Sequence, residues 1–254
     1  NTLVLHEVNR VRRGRIQDIA HLGVALGMLG GDKLASLIKQ TPSVEEAIPT
    51  AIAQRHYRRL LLRAAHAAQQ ALDWAMAIGD PAPLELRLAA VAYQIAELAL
   101  CVQQPKDYIG YLRETEFRNM PAAEAGEHHL GAPLTEITQA AVTEYGFPEA
   151  VRFMLDPAQH EHYRAKLVRL ACACASHAER GWFNDPFMAD LEAAAELLPA
   201  DPTIHDHLGA AYARRGEIAR AIKQWKKALT LGPPDAEAIR EKIENLQSGT
   251  LDLN

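Results

Sequence analysis

Histidine-rich segments are the first places where this chain could carry out chemistry. They are His128-His129, His160-Glu161-His162 and His205-Asp206-His207. Imidazole and carboxylate groups are common ligands of zinc and related ions. Residues two apart on a helix point to different sides, so neither His160 with His162 nor His205 with His207 is expected to share one ion. All of these histidines are predicted to be solvated or to cap helices.

Other catalytic signatures are missing from the sequence. It has no Gly-x-Ser-x-Gly nucleophile elbow, and the stretch from Gly27 to Gly31 lacks the Lys-Ser/Thr ending of a phosphate-binding loop. Cys101, Cys172 and Cys174 have neither disulfide nor zinc-site spacing. Cys172 and Cys174 are predicted to be small buried hydrophobic residues, and the odd number of cysteines favours a reducing, cytoplasmic location.

Two runs of arginine could bind an anionic ligand or an acidic partner. They are Arg10, Arg12, Arg13 and Arg15, and, at helical spacing, Arg55, Arg58, Arg59 and Arg63. A solvated or salt-bridged face is the simpler interpretation of both runs. The net charge of −5 argues against broad nucleic-acid binding, so no nucleic-acid partner is expected.

Helices must position these residues. The 254-residue chain is 48% hydrophobic and rich in alanine, with few β-branched runs, which predicts an all-α fold. Helices are predicted at 16–29, from about 50 to 78, at 84–102, 105–112, 133–144, 160–180 and 190–198, and from 235 onward. Residues 115–131 are predicted to be rich in loops, with one helical turn. No apolar run is long enough to span a membrane, so no membrane association is expected.

The stretch from Pro202 to Asp235 has the spacing of a helical hairpin. Small residues fall where two helices must approach closely, and large ones fall where they fill the space between helices. The positions are Leu208, Gly209, Tyr212, Ala221, Trp225, Ala228 and Pro233. The pattern resembles one tetratricopeptide repeat, except that His205 takes a place usually held by Trp. The role of these residues would be packing, and a single repeat needs neighbouring helices on both sides.

Six short segments follow one another through the rest of the chain. They are Asp18–His21, Leu26–Leu34, Arg55–Tyr57, Ala89–Leu98, Tyr145–Ala150 and Leu167–Cys172. Over residues 5–198 their order and spacing resemble the HDOD domain, a bacterial signalling relative of the HD phosphohydrolases. The resemblance implies an HD-like helical domain over 1–198, followed over 199–254 by the hairpin and a capping helix. The family has further helices ahead of this start, so the N-terminal part of the domain is expected to be missing.

The resemblance also bears on catalysis. HD phosphohydrolases hold a divalent metal with His and Asp ligands, including an adjacent His-Asp pair, and the metal activates a water for attack on phosphorus. Here that pair falls on Tyr93-Gln94, the first His near His56, a later His near Leu134 and a later Asp near Cys172. Neither Tyr nor Gln is a good ligand for this chemistry. The resemblance therefore implies a degenerate site, with no metal, no cofactor and no enzymatic activity.

The function expected from these features is cytoplasmic signal transduction through a protein partner, without catalysis. The main alternative is a divergent metal-dependent phosphohydrolase acting on nucleotides or cyclic dinucleotides. It would draw its ligands from His56, His66, His128 or His129, with Glu97 or Glu127. A third interpretation is a sensor that binds a nucleotide without cleaving it.

Overall fold

The computed structural model describes residues 22–48, 50–181 and 183–248. These residues form helices and no strand, so the predicted all-α class is confirmed. In chain order the helices are α1 (Leu22–Leu29), α2 (Gly31–Gln40), α3 (Val44–Ala47), α4 (Ala51–Ala77), α5 (Pro83–Tyr93), α6 (Ile95–Gln103), α7 (Pro105–Phe117), α8 (Ala122–Leu130), α9 (Leu134–Glu144), α10 (Glu149–Leu155), α11 (Tyr163–Ala178), α12 (Asp185–Leu197), α13 (Pro202–Arg214), α14 (Ile218–Thr230) and α15 (Ala236–Ser248).

The long central helix α4 begins and ends within one residue of its predicted limits. Its N-terminus is capped by the Thr50 hydroxyl, which accepts a hydrogen bond of 3.2 Å from the backbone N–H of Ala53. Helix α9 likewise matches its prediction, with Pro133 as its N-cap. The helix predicted over 16–29 is described only from Leu22, and Arg10, Arg12, Arg13 and Arg15 lie outside the described residues.

A single helix predicted over 84–102 is instead two helices, because the α-helical ladder breaks at Gln94. The backbone N–H of Gln94 bonds to the Val91 carbonyl at 3.3 Å, three residues back, and α6 then restarts with Leu98 donating to the Gln94 carbonyl at 3.0 Å. Neither Gly nor Pro marks this break in the sequence. The break separates Tyr93, at the end of α5, from Glu97 on α6.

The segment 115–131 is not rich in loops, contrary to the prediction. Helix α7 extends five residues past its predicted end to Phe117, and α8 occupies Ala122–Leu130. Gly126 lies inside α8, where the chain packs closely against the start of α9. A Cβ at this position would lie 2.8 Å from the carbonyl oxygen of Ala132. Gly126 therefore permits a close packing contact within a helix.

His160 and His162 do not lie on one helix as predicted. Residues Pro157–Gln159 form a 3-10 turn, and α11 begins only at Tyr163. His162 caps α11, since its Nδ1 accepts a 3.3 Å hydrogen bond from the backbone N–H of Arg164. The His160 side chain is exposed and pairs with Glu161.

One hydrophobic core runs from α4 through the middle helices to α15. Alanines on α4 and α5, among them Ala67, Ala71 and Ala89, are fully buried and let these helices approach closely. The same core continues through Leu191 on α12 to Trp225 on α14. It therefore passes the predicted domain boundary at 198/199 without a break.

A smaller hydrophobic cluster lies beside this core. It is formed by Leu60 on α4, Leu100 and Cys101 on α6, Tyr108 and Tyr111 on α7, and Ala125 on α8. This cluster fixes the positions of α6 and α7 relative to α4. All three cysteines are free and buried, as was predicted for Cys172 and Cys174. Along the described residues, no helix combines the length and the apolar character needed to cross a membrane.

Candidate functional site

The residues predicted at the degenerate metal positions are divided between separate places. Tyr93 ends α5 and Leu134 begins α9, and both line one cavity of about 250 Å³. Cys172 on α11 is buried, with its Sγ 3.8 Å from the carbonyl oxygen of Ala90. His56 lines a different pocket of about 270 Å³ between α4 and α7. Glu97 lines the cavity beside Tyr93, and Tyr108 lines the pocket beside His56.

Gln94 occupies the break between α5 and α6. Its residue surface is only 2% exposed, and its Oε1 atom makes no hydrogen bond to other described residues. A buried amide oxygen without a partner is costly.

Glu97 is the centre of the buried network. Its Oε1 accepts a 2.6 Å hydrogen bond from the Tyr108 hydroxyl, and the Tyr108 oxygen lies 3.3 Å from Nε2 of His56. Because the hydroxyl proton is directed to Glu97, Nε2 of His56 is the donor to Tyr108. The chain of hydrogen bonds therefore runs from the groove beside His56 to the interior carboxyl.

Arg63 on α4 lies between two carboxyl groups. It donates two hydrogen bonds to Glu179, of 3.0 Å from Nε and 2.9 Å from Nη2, and its Nη1 is 3.9 Å from Oε2 of Glu97. Arg59 approaches Glu179 from the solvent side at 3.4 Å. The buried part of the cluster thus has one guanidinium, that of Arg63, for the carboxyl groups of Glu97 and Glu179. Arg63 donates its hydrogen bonds to Glu179.

Burial raises the pKa of Glu97, and the hydrogen bond from Tyr108 and the charge of Arg63 offset only part of that rise. Burial and the neighbouring Glu97 also raise the pKa of Tyr108 far above its ordinary value. Burial, followed by the positive charges of Arg59 and Arg63, lowers the pKa of His56. Tyr108 is therefore protonated at neutral pH, while burial favours neutral His56.

These shifts predict a pH-dependent stability difference between the protein and its Glu97→Gln variant. Since folding raises the pKa of Glu97 above its ordinary 4.5, the folded state binds this proton more tightly than the unfolded state. The contribution of Glu97 to stability is thus largest in acid, and it falls as the pH rises from about 4 through the raised pKa. The variant lacks this fall but keeps an amide oxygen as acceptor for Tyr108.

Urea unfolding of both proteins across this pH range tests that expectation. The stability of Glu97→Gln relative to the unmodified protein should increase with pH. An exposed carboxyl at Glu144 on α9 gives the matched control, Glu144→Gln. A constant difference between protein and Glu97→Gln variant at all pH values would contradict the assigned burial of Glu97.

The six residues proposed as ligands for the phosphohydrolase alternative do not converge. His66 is on α4, where burial and then the charge of His207 lower its pKa, so it faces the C-terminal helices. His129 packs against Gly110 of α7, where an added Cβ would lie 2.5 Å from Nδ1. His128 and Glu127 are exposed. Among the described residues no three His, Cys, Asp or Glu side chains are grouped so that they could hold a metal ion.

Sequence reasoning named Glu97 and Arg63 but not the residues that join them. Tyr108 and Tyr111 are three residues apart on α7, and their ring centroids lie 6.1 Å apart. The three-residue spacing in the sequence could have indicated that both lie on one buried face of the helix. Glu179 is 116 residues from Arg63 in the chain, and no local pattern links the two. Burial raises the pKa of the Cys101 thiol to about 12, so it is not an activated nucleophile.

The C-terminal hairpin places all but one of its predicted packing residues in the core. Leu208, Gly209, Tyr212, Ala221, Trp225 and Ala228 are buried, and Pro233 is half-buried. The indole of Trp225 lies directly against Gly209, where an added Cβ would be 2.6 Å from Cδ1, and its Nε1 donates to the Asp206 carbonyl at 3.2 Å. The small residue and the large one thus fit each other across α13 and α14.

His205, at the position usually held by Trp, is buried and fully paired. Its Nε2 lies 3.2 Å from the Pro199 carbonyl oxygen, and its Nδ1 lies 2.8 Å from the side-chain amide of Gln224. A carbonyl can only accept, so Nε2 carries a proton. His205 therefore joins α13 to α14 and to the loop after α12, and it is not available as a metal ligand.

The fold and the site define an all-α domain with a buried ion-pair cluster, joined through one core to a C-terminal hairpin. The chain belongs to the HDOD domain family, since residues 2–162 match the model of the HDOD domain. The match ends at the start of α11, although α11 packs into the same core.

One solved structure has a similar fold. It is described as the MmoQ response regulator from Methylococcus capsulatus strain Bath, and it aligns with a TM-score of 0.54 and 20% identity over 78% of this chain and 82% of that chain. At this identity the likeness shows the fold alone. No curated protein shows significant similarity to the chain.

Proposed function

We propose that this protein transmits signals without catalysis, by contact with a protein partner. The observation that carries the proposal is the cluster of Glu97, Arg63 and Glu179, in which the chain's own guanidinium engages the interior carboxyl groups. A catalytic metal would need such carboxyl groups, together with imidazoles, free to coordinate it. Tyr93, Gln94, Leu134 and Cys172 supply no replacement ligands of that kind.

Membership of the HDOD family supports a role in signalling, and so does the description of the structurally similar protein as a response regulator. The C-terminal hairpin is proposed to be a single tetratricopeptide-like repeat. Its core is continuous with the HDOD body, and α15 covers its other side through Ile239 and Ile243. In this arrangement the hairpin extends the body and offers an additional surface to the partner.

Metal content and hydrolysis test the non-catalytic part of the proposal. The protein, purified without a metal-chelating tag, is expected to contain no stoichiometric iron, manganese or zinc. It should also leave nucleotides and cyclic dinucleotides intact when Mn²⁺ is added. The matched variants are His56→Ala, beside the buried network, and His160→Ala, at an exposed site. Stoichiometric metal that disappears in His56→Ala but persists in His160→Ala would overturn the proposal in favour of a phosphohydrolase.

The interaction part is tested separately, by purification of the full chain from its native cells followed by mass spectrometry. A partner that docks through the hairpin should be recovered with the unmodified protein and with Lys226→Ala, an exposed change on α14, but lost with Trp225→Ala. Recovery of the chain alone under conditions that preserve complexes would argue against a partner.

A further inference from the structure

The cavity at the α5–α6 break has an exposed mouth and a buried floor. Ala122, Ala123 and Thr135 at the mouth are exposed, while Glu97, Tyr111 and Thr138 at the floor are buried. Its volume of about 250 Å³ exceeds the roughly 150 Å³ of a cavity known to hold benzene. A single aromatic ring with a short polar chain therefore fits inside.

The lining of this cavity selects the charge of its occupant. Its described lining residues include the carboxyl of Glu97 and the rings of Tyr93 and Tyr111, but no lysine, arginine or histidine. A phosphate or carboxylate group would meet Glu97 with no cation to pair with, so anions are disfavoured. Tyrosine rings and a carboxylate instead both attract a positive charge.

The two oxygens of Glu97 differ in their contacts. Oε1 is engaged by Tyr108, but Oε2 is 3.9 Å from Arg63, too far for a hydrogen bond. The stronger contacts of Arg63 are its two hydrogen bonds to Glu179. Arg63 therefore holds Glu97 less closely than it holds Glu179.

We propose that this cavity binds a small aromatic amine in its ammonium form, with the ammonium group hydrogen-bonded to Oε2 of Glu97 and the ring held against Tyr93 and Leu134. The ligand would supply a charge-assisted hydrogen bond to a carboxyl group that Arg63 does not hydrogen-bond. Because Glu97 also faces Arg63, an occupied cavity would draw Glu97 away from α4. This inference goes beyond the proposed function, for it adds a ligand that a signalling protein of this kind would sense.

Three probes of similar size and different charge test the proposal: 2-phenylethylamine, 2-phenylethanol and 3-phenylpropanoate. Titration calorimetry and ligand-observed NMR measure their binding to the full chain. For probes of this size we expect dissociation constants of about 1–10 mM for the amine. The alcohol should bind at least about tenfold more weakly than the amine, because it lacks a charge-assisted hydrogen bond. The propanoate should not bind.

Two variants assign the binding to this cavity. Glu97→Gln should abolish the preference for the amine over the alcohol, whereas Glu144→Gln, outside the cavity, should keep it. Ala123→Trp at the exposed mouth should weaken the binding of every probe without altering the core. The proposal is overturned if the propanoate binds as well as the amine, if Glu97→Gln retains the preference, or if no probe binds. None of these outcomes depends on metal content or hydrolysis, so this proposal and the proposed function can fail independently.

Discussion

Trp225→Ala is expected to lower the free energy of unfolding of the C-terminal helices by about 3–5 kcal/mol. The side chain is 1% exposed and belongs to the core shared by α12, α13, α14 and α15. Its removal leaves a cavity against Gly209, where no side chain can move in to fill it. The nearby change Lys226→Ala, on the exposed face of α14, should cost less than about 0.5 kcal/mol.

A second substitution at Gly209 makes this prediction more specific. In the unmodified protein, Gly209→Ala should destabilise by about 1–3 kcal/mol, because the new Cβ collides with the Trp225 ring. In the Trp225→Ala background the collision is gone, and alanine is the better helix former by about 1 kcal/mol. The same substitution should therefore change from destabilising to stabilising.

Urea unfolding monitored by circular dichroism, together with hydrogen exchange of the amides in α13, α14 and α15, measures both effects. Hydrogen exchange is needed because the C-terminal helices can open before the rest of the chain unfolds. A loss below about 1 kcal/mol for Trp225→Ala would be inconsistent with a buried core residue, and it would remove the support for a tetratricopeptide-like hairpin. A Gly209→Ala effect of the same sign in both backgrounds would mean that Gly209 and Trp225 do not pack against each other.

Arg63→Met is expected to destabilise the HDOD body by about 3–5 kcal/mol at neutral pH. The Arg63 side chain is 12% exposed, and its removal leaves Glu97 and Glu179 facing each other without the guanidinium between them. The penalty should shrink in acid, because protonation removes the repulsion between the two carboxyl groups. Adding Glu97→Gln to Arg63→Met should likewise restore part of the loss at neutral pH.

Arg58→Met is the matched control for this substitution. Arg58 lies on the same helix and pairs with Glu45, but both side chains are more than half exposed. Exposed ion pairs contribute about 0–1 kcal/mol, so this variant should stay close to the unmodified protein in urea unfolding. Equal losses for Arg63→Met and Arg58→Met would show that the Arg63 cluster is not buried as described.

The hairpin could be predicted from the sequence because its signal is local. Gly209 and Trp225 are 16 residues apart, within a hairpin whose two helices are joined by a short turn around Gly216. The periodic spacing of large and small residues therefore specifies which side chains meet. The long helix α4 was predictable for a similar reason, since a capping residue, an extended apolar periodicity and Gly79 all mark its limits.

The helix break at Gln94 was not predictable from local pattern. The residues from Leu84 to Val102 are apolar on most sides and contain neither Gly nor Pro, so their periodicity continues through the break. Helix α8 was also missed, and within it Gly126 permits a close approach to the Ala132 carbonyl. In both cases tertiary packing overrides the local preference.

The sequence by itself determined the all-α class, the family resemblance and the absence of good metal ligands at Tyr93 and Gln94. These properties depend on residue type and on spacing along a helix. Only the tertiary structure decided that Glu97 accepts a hydrogen bond from Tyr108 on α7 and lies near Arg63 on α4. The same holds for the hydrogen bonds from Arg63 to Glu179, which follows α11. The physical reason is that charge compensation and cavity shape depend on side chains brought together from distant helices, whereas periodicity reports only which face of each helix is buried.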